Sequence, residues 1–205
     1  MTLLFLKGLA FGFVLAATVG PMWVLCLRRT LAHGALAGFV SGMGIAVADG
    51  LYGAVAAFGL TAVSGFLLEH RVAIGAAGAA FLLWLGVRTL IAKPVAVEAA
   101  QPAGRPSHPA AFASTLGLTL ANPPTILAFA AIFAGLGLAT STGDAAAGLV
   151  VLGVFAGSAA WWVILAAAAG WLRERLAGGL MRAINVVAGA TILGFALWQL
   201  AALVR

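Results

Sequence analysis

Charge is scarce in this chain. Of its 205 residues, 8% are charged and five are acidic, whereas 64% are hydrophobic; an average soluble domain carries roughly a quarter charged residues. That shortage excludes a water-soluble globular domain. Cysteine is nearly absent too: Cys26 stands alone, which rules out an intrachain disulfide framework or a two-thiol relay and leaves it to pack as a small apolar residue. Histidine occurs at His33, His70 and His108 only, scattered over three connections. An intramembrane enzyme acting on lipid would need acid, base or metal ligands clustered near one interface, and the sequence offers no such cluster. The net charge of +6 does not point to nucleic acid either, because no soluble face exists to carry a basic stripe.

What is present in quantity is apolar sequence, with a mean hydropathy of +1.15. A bilayer helix needs about 20 mostly apolar residues, and the long runs fall at about 3–27, 34–62, 72–91, 112–138, 145–171 and 180–204. The expected fold is therefore an all-α integral membrane protein of six transmembrane helices. The first run is too long for a signal-peptide core and carries its Arg28-Arg29 pair after the apolar stretch instead of before it, so it is expected to stay as a helix. Arg28, Arg29, Arg88, Lys93, Arg105, Arg173, Arg175 and Arg182 lie in or beside the connections after runs one, three and five. The positive-inside rule makes those connections cytoplasmic and puts both termini outside.

Residues 92–111 hold Pro94, Pro102, Pro106 and Pro109 among charged residues, a composition that cannot pack an apolar core. They read as a cytoplasmic linker between two halves of one transmembrane domain, 1–91 and 112–205. Three spans on each side force the second half to enter the bilayer in the opposite sense, so a 3+3 inverted repeat is expected. Each half begins with a helix that proline breaks, at Gly20-Pro21 and at Asn122-Pro123-Pro124. Proline has no N–H, so Pro21 frees the carbonyl of Ala17, and Pro123 and Pro124 free those of Thr119 and Leu120. At membrane depth such groups survive only where protein or a polar cavity satisfies them, and solute carriers place their substrate sites there. Pro21, Asn122 and Pro123 are thus candidate substrate-site residues, with Thr18, Gly20 and Pro124 as candidate lining.

Asp49 is the one acidic residue expected deep inside a span. An aspartate at a helix centre costs about 2.5–3.5 kcal/mol on insertion scales and normally faces a bundle interior or a wet cavity. At about 100° per residue, it shares a stripe with Gly38, Gly42, Ala46 and Gly53, and Tyr52 flanks it with a hydroxyl. Three uses are open to its carboxyl: tying helices together, exchanging a proton as a coupling device, or attracting a substrate amine. Asn122 has two, capping its own break or accepting from a substrate amine. Asn185 is expected to bond helix to helix. Small residues four apart, as in Gly8/Gly12, Gly38/Gly42 and Gly153/Gly157, predict tight helix packing. The six tryptophans divide between interfacial anchoring and packing, with some left for a cavity wall.

Gly20-Pro21, the His33-Gly34 opening of the second helix with Gly38, Gly42 and Asp49, the run Ala76–Gly86, Asn122-Pro123, and Ile184–Gly189 together resemble the LysE/RhtB family of amino-acid exporters along nearly the whole chain. The resemblance departs at Val19, where the family commonly has proline, and at Pro124, where it usually has lysine. It implies export of small amino acids or related metabolites across the bacterial cytoplasmic membrane, driven by proton motive force or membrane potential and without a bound cofactor. Relatives in the wider superfamily that move metal ions or pass electrons need more deep ligands or a second cysteine than this chain has. The expected partners are a small-molecule substrate and the lipid bilayer, with homo-oligomerisation left open. A membrane subunit that binds another protein without transporting anything is the alternative reading.

Overall fold

A computed structural model of the chain describes residues 1–18, 20–58, 66, 69–91, 107–122, 125, 129, 144–173 and 178–203, and among these all regular structure is helical. The helices are α1 (Thr2–Ala17), α2 (Pro21–His33), α3 (Ala35–Ala57), α4 (Arg71–Leu90), α5 (His108–Leu120), α6 (Asp144–Arg173) and α7 (Gly178–Leu203). By length and composition, α3, α4 and α6 can each cross a membrane alone, and α1 with α2 passes the same test only as a pair, bent by 75° at the break. The chain is an all-α membrane protein of about six spans.

The first break is larger than the apolar run suggests. The chain leaves α1 at Thr18, and Gly20 caps α2 in an extended conformation with Pro21 in the first turn, where the missing N–H costs nothing. Residues 28–33, expected in a connection, continue α2 as helix. Gly34 alone turns the chain into α3, at φ 93°, a backbone region that glycine enters without the clash of a Cβ. The fourth run also differs at its start. Helix α5 begins at His108, inside the expected linker, because Ser107 accepts a hydrogen bond from the Ala110 amide at 3.3 Å and Pro109 suits a first turn.

Close contacts at glycines give the helix directions. A side chain at Gly8 would run into the Val150 backbone and one at Gly12 into the Val154 backbone, so α1 and α6 run parallel. Gly42 faces Trp162, Gly50 faces Phe155 and Gly53 faces Val154, so α3 and α6 run antiparallel. Gly44 meets Phe112 and Leu116, while Tyr52 reaches Leu120, so α5 runs with α3. It follows that α1 and α5, the first helices of the two halves, point in opposite directions. That opposition is what the expected inversion requires of the two first helices.

The contacts also share a register. A side chain at Gly153 would meet the Phe5 carbonyl and the Leu9 amide, and one at Gly44 would meet the Phe112 carbonyl and the Leu116 amide. Exchanging the halves thus maps Phe5 and Leu9 onto Phe112 and Leu116, and Gly153 onto Gly44. The same spacing maps the Gly8–Val150 contact onto the hydrogen bond from Thr115 to the Ser41 carbonyl. It likewise maps the Phe13–Trp161 ring pair onto Leu120 and Tyr52. In the outer pair, Gly86 packs on Leu193 and Gly189 on Leu90, each contact being the exchange of the other. Five residues beyond Gly44 and Gly153 lie Asp49 and Ser158. These two are counterparts, and they touch each other, so their hydrogen bond lies on the axis relating the halves.

Candidate functional site

Asp49 is 2% exposed and within one turn of the middle of α3, and Ser158 is at the middle of α6. Ser158 Oγ donates to Asp49 Oδ2 at 2.7 Å. Beside this pair lies a cavity of about 330 Å³ whose wall Asp49 joins. The break between α1 and α2 contributes Thr18, Gly20 and Pro21, and the end of α5 contributes Thr119, Asn122 and Thr125. Trp23, Trp162, Phe195 and Trp198 supply most of the aromatic surface. A carboxyl is tolerable here because one oxygen is hydrogen-bonded and the residue is buried in the bundle beside a cavity instead of facing lipid.

The second break is satisfied locally. The Asn122 amide N–H donates to the Thr119 carbonyl at 3.1 Å, and the Tyr52 hydroxyl donates to the Leu120 carbonyl at 2.6 Å. These are the two carbonyls that Pro123 and Pro124 cannot serve. Asn122 Nδ2 donates to Thr125 Oγ1 at 2.9 Å, and both residues line the cavity.

Thr18, Gly20, Pro21, Asp49 and Asn122 therefore come together as the sequence suggests. Tyr52 does not join them. It is buried between α3 and α5, its hydroxyl taken by Leu120 and its ring packed 5.7 Å from that of Phe129, because the freed carbonyl outcompetes the cavity for its one donor. Pro123 and Pro124 lie outside the described residues. Sequence reasoning missed Ser158 and Thr119, which look like ordinary small residues of apolar helices. It also misplaced Arg29. That guanidinium is buried and donates to Ser41 Oγ at 3.0 Å, the Ala111 carbonyl at 2.9 Å and Ser114 Oγ at 2.9 Å, while Arg28 Nε donates to Asn185 Oδ1 at 3.1 Å. The Arg-Arg pair resembles the flank of a span, but the single-residue turn at Gly34 keeps it inside the bundle. Among the described residues, no three His, Cys, Asp or Glu side chains stand close enough to hold a metal ion.

The chain matches the LysE type translocator family over residues 13–202. It belongs to that family. This LysE-family chain is 29% identical over 201 residues to the chemotactic transduction protein ChpE of Pseudomonas aeruginosa, covering 96% of this chain and 97% of that one. It is 29% identical over 198 residues to YcgF of Bacillus subtilis, a protein named for amino acid efflux, covering 94% and 92% of the two. It is 32% identical over 181 residues to YahN of Escherichia coli, named only as a membrane protein, covering 87% and 80%. No solved structure matches the LysE-family chain. Family and fold together make it a multi-pass membrane transporter.

Proposed function

We propose that this transporter is a secondary exporter of amino acids or related small metabolites from the cytoplasm, driven by proton motive force or membrane potential. The observation that carries the reading is the Asp49–Ser158 pair, set on the axis between two inverted halves and bordering a cavity that both helix breaks reach. An inverted repeat can expose one site to the two membrane faces in turn by rocking half against half, and a group on the axis stays within reach of both halves throughout. In this reading Asp49 holds either the transported proton or the substrate amine, Asn122 and Thr119 complete the site, and Pro21 and Pro123 keep backbone open toward it. The name of YcgF supports amino acid export. The topology proposed with it is one transmembrane domain with a cytoplasmic linker at about 92–111 and both termini outside, on the charges of Arg88, Lys93, Arg105, Arg173, Arg175 and Arg182.

The test loads proteoliposomes with a panel of amino acids and compares efflux, with and without a pH gradient, against protein-free vesicles. Faster efflux of at least one amino acid is expected; none would refute export and favour a signalling subunit, the role named for ChpE. Asp49→Asn is expected to abolish the response to the pH gradient while thermal unfolding stays near that of the parent. An unchanged response would assign Asp49 to packing.

A further inference from the structure

Every described cavity-lining residue except Asp49 is uncharged, with no lysine, arginine, histidine or second carboxylate among them. One negative group can balance one ammonium. A dibasic amino acid would bring a second cation with no counter-charge, and an acidic one would bring a side-chain carboxylate with no cation to meet it; leaving a charge unpaired away from water is strongly unfavourable. The remaining described wall is mostly apolar, with Leu15, Met22, Trp23, Ile45, Phe195 and Trp198, and its polar members Thr18, Thr119, Asn122 and Thr125 are neutral. A volume of about 330 Å³ sits at the small end of ligand pockets, which run from about 300 to 1,000 Å³.

A zwitterion also needs a place for its α-carboxylate, and two independent features offer one. Helix α2, 13 residues long, starts at the cavity with Gly20 as its cap and with no side chain bonded to its first turn. The first N–H groups of a helix lack intrahelical partners and carry the positive end of its dipole, the arrangement by which broken helices bind substrate carboxylates. The second feature is a set of three lining side chains, Trp23, Thr119 and Trp162, each with a buried polar atom that has no partner among the described residues. Trp162 is 2% exposed and Thr119 3% exposed, and neither Trp162 Nε1 nor Thr119 Oγ1 has a hydrogen-bond partner. An indole N–H can only donate, and that of Trp162, buried in a residue that lines the cavity, has no acceptor among the described residues. Gly42 lies against the Cβ and ring of Trp162, which holds the indole in place.

We infer that the cavity takes an α-amino acid with an uncharged, apolar side chain, its ammonium at Asp49 and its carboxylate between the first turn of α2 and the Trp162 indole. The inference rests on the exporter reading and narrows it to a substrate class. Leucine, lysine, glutamate and leucinamide are the probes, each loaded separately into proteoliposomes. Leucinamide keeps the ammonium and the apolar side chain but has no carboxylate. Leucine should leave at least about tenfold faster than the other three, the loss expected when a hydrogen bond to a charged group is removed. Leucinamide efflux equal to that of leucine would overturn the carboxylate site, and faster lysine or glutamate would overturn the substrate class, both leaving export intact. Failure of every solute to leave faster than from empty vesicles would overturn export itself. Trp162→Phe should raise the KM for leucine about tenfold or more and that for leucinamide less, because a neutral amide oxygen accepts more weakly than a carboxylate. If that variant does not fold, Thr119→Val, close in shape, should raise the KM for leucine in the same assay. An unchanged KM in a folded variant removes that residue from the site.

Discussion

Two helix pairs that the exchange of halves superimposes, α1 with α6 and α5 with α3, share one register and use opposite chemistry. In the first pair, Gly8, Gly12, Gly153 and Gly157 bring backbone against backbone, and Phe13 meets Trp161 edge to face at 5.4 Å. In the second, Thr115 Oγ1 donates to the Ser41 carbonyl at 2.6 Å, Tyr52 to the Leu120 carbonyl at 2.6 Å, and Arg29 ties Ser41 to Ala111 and Ser114. The two pairs share the geometry of the contact although several of the side chains that make it differ. Glycine packing derives its stability from close fit and tolerates no added atom, whereas a hydrogen-bonded seam can lose one bond and keep the rest. Substitutions should therefore act almost all-or-none at the glycines of α1·α6, and at Gly44 in the second pair, but in graded steps at the hydrogen-bonding side chains of α3·α5.

The largest effect is expected from Gly12→Leu, whose side chain would enter the Val154 backbone. Overpacking usually costs about 1–3 kcal/mol, and here the obstruction is backbone that cannot step aside. Loss of monodisperse protein in detergent should follow. Gly148→Leu, on α6 itself but with open space around it, should change the melting temperature little, as surface substitutions do, within about 0.5 kcal/mol. Equal behaviour of the two variants would mean that α1·α6 is not the rigid seam of the molecule.

An intermediate effect is expected on the polar side. Arg29→Met keeps the length of the side chain and removes three hydrogen bonds, but Ser41 Oγ still donates to the Ala37 carbonyl and Ser114 Oγ to that of Ala111. The loss should therefore be about 1–3 kcal/mol, measured by thermal unfolding, with folded protein still recovered. Collapse as complete as that of Gly12→Leu would show that the polar seam is as indispensable as the glycine one.

The spans, the two breaks and Asp49 were legible in the sequence, since hydropathy, proline and an isolated acid each act through local chemistry. The register between the halves was not, because contact geometry needs only a small residue at the right place: of the matched positions, Phe5 and Phe112, Leu9 and Leu116, and Gly44 and Gly153 keep their identity, whereas Asp49 faces a serine and Tyr52 answers to Trp161. Ser158 carried no signal until the α3·α6 crossing set it against Asp49. Arg29 gave a misleading one, because two arginines after an apolar run look like a water-facing flank unless the turn that follows is known to be a single glycine.

The smallest effect tests how the second break is held. In an unbroken helix the Leu120 carbonyl would accept from the amide of residue 124, which is a proline and has no N–H. Tyr52 replaces that donor from the neighbouring helix, at 2.6 Å. Tyr52→Phe removes one oxygen and keeps the ring against Phe129, so the hydrogen bond alone is read. Interhelical hydrogen bonds in membrane proteins average about 0.6 kcal/mol and reach about 1.7 kcal/mol, and the upper half of that range is expected because the carbonyl left behind has no helical donor. Trp161→Phe, at the corresponding position of α6, takes away an indole N–H that has no partner and so should lose packing but no hydrogen bond. A double-mutant cycle with Pro124→Ala separates the contributions. If the alanine amide can take over the Leu120 carbonyl, the penalty for Tyr52→Phe shrinks; if the penalty stays the same, the tyrosine stabilises α3·α5 without reference to the break.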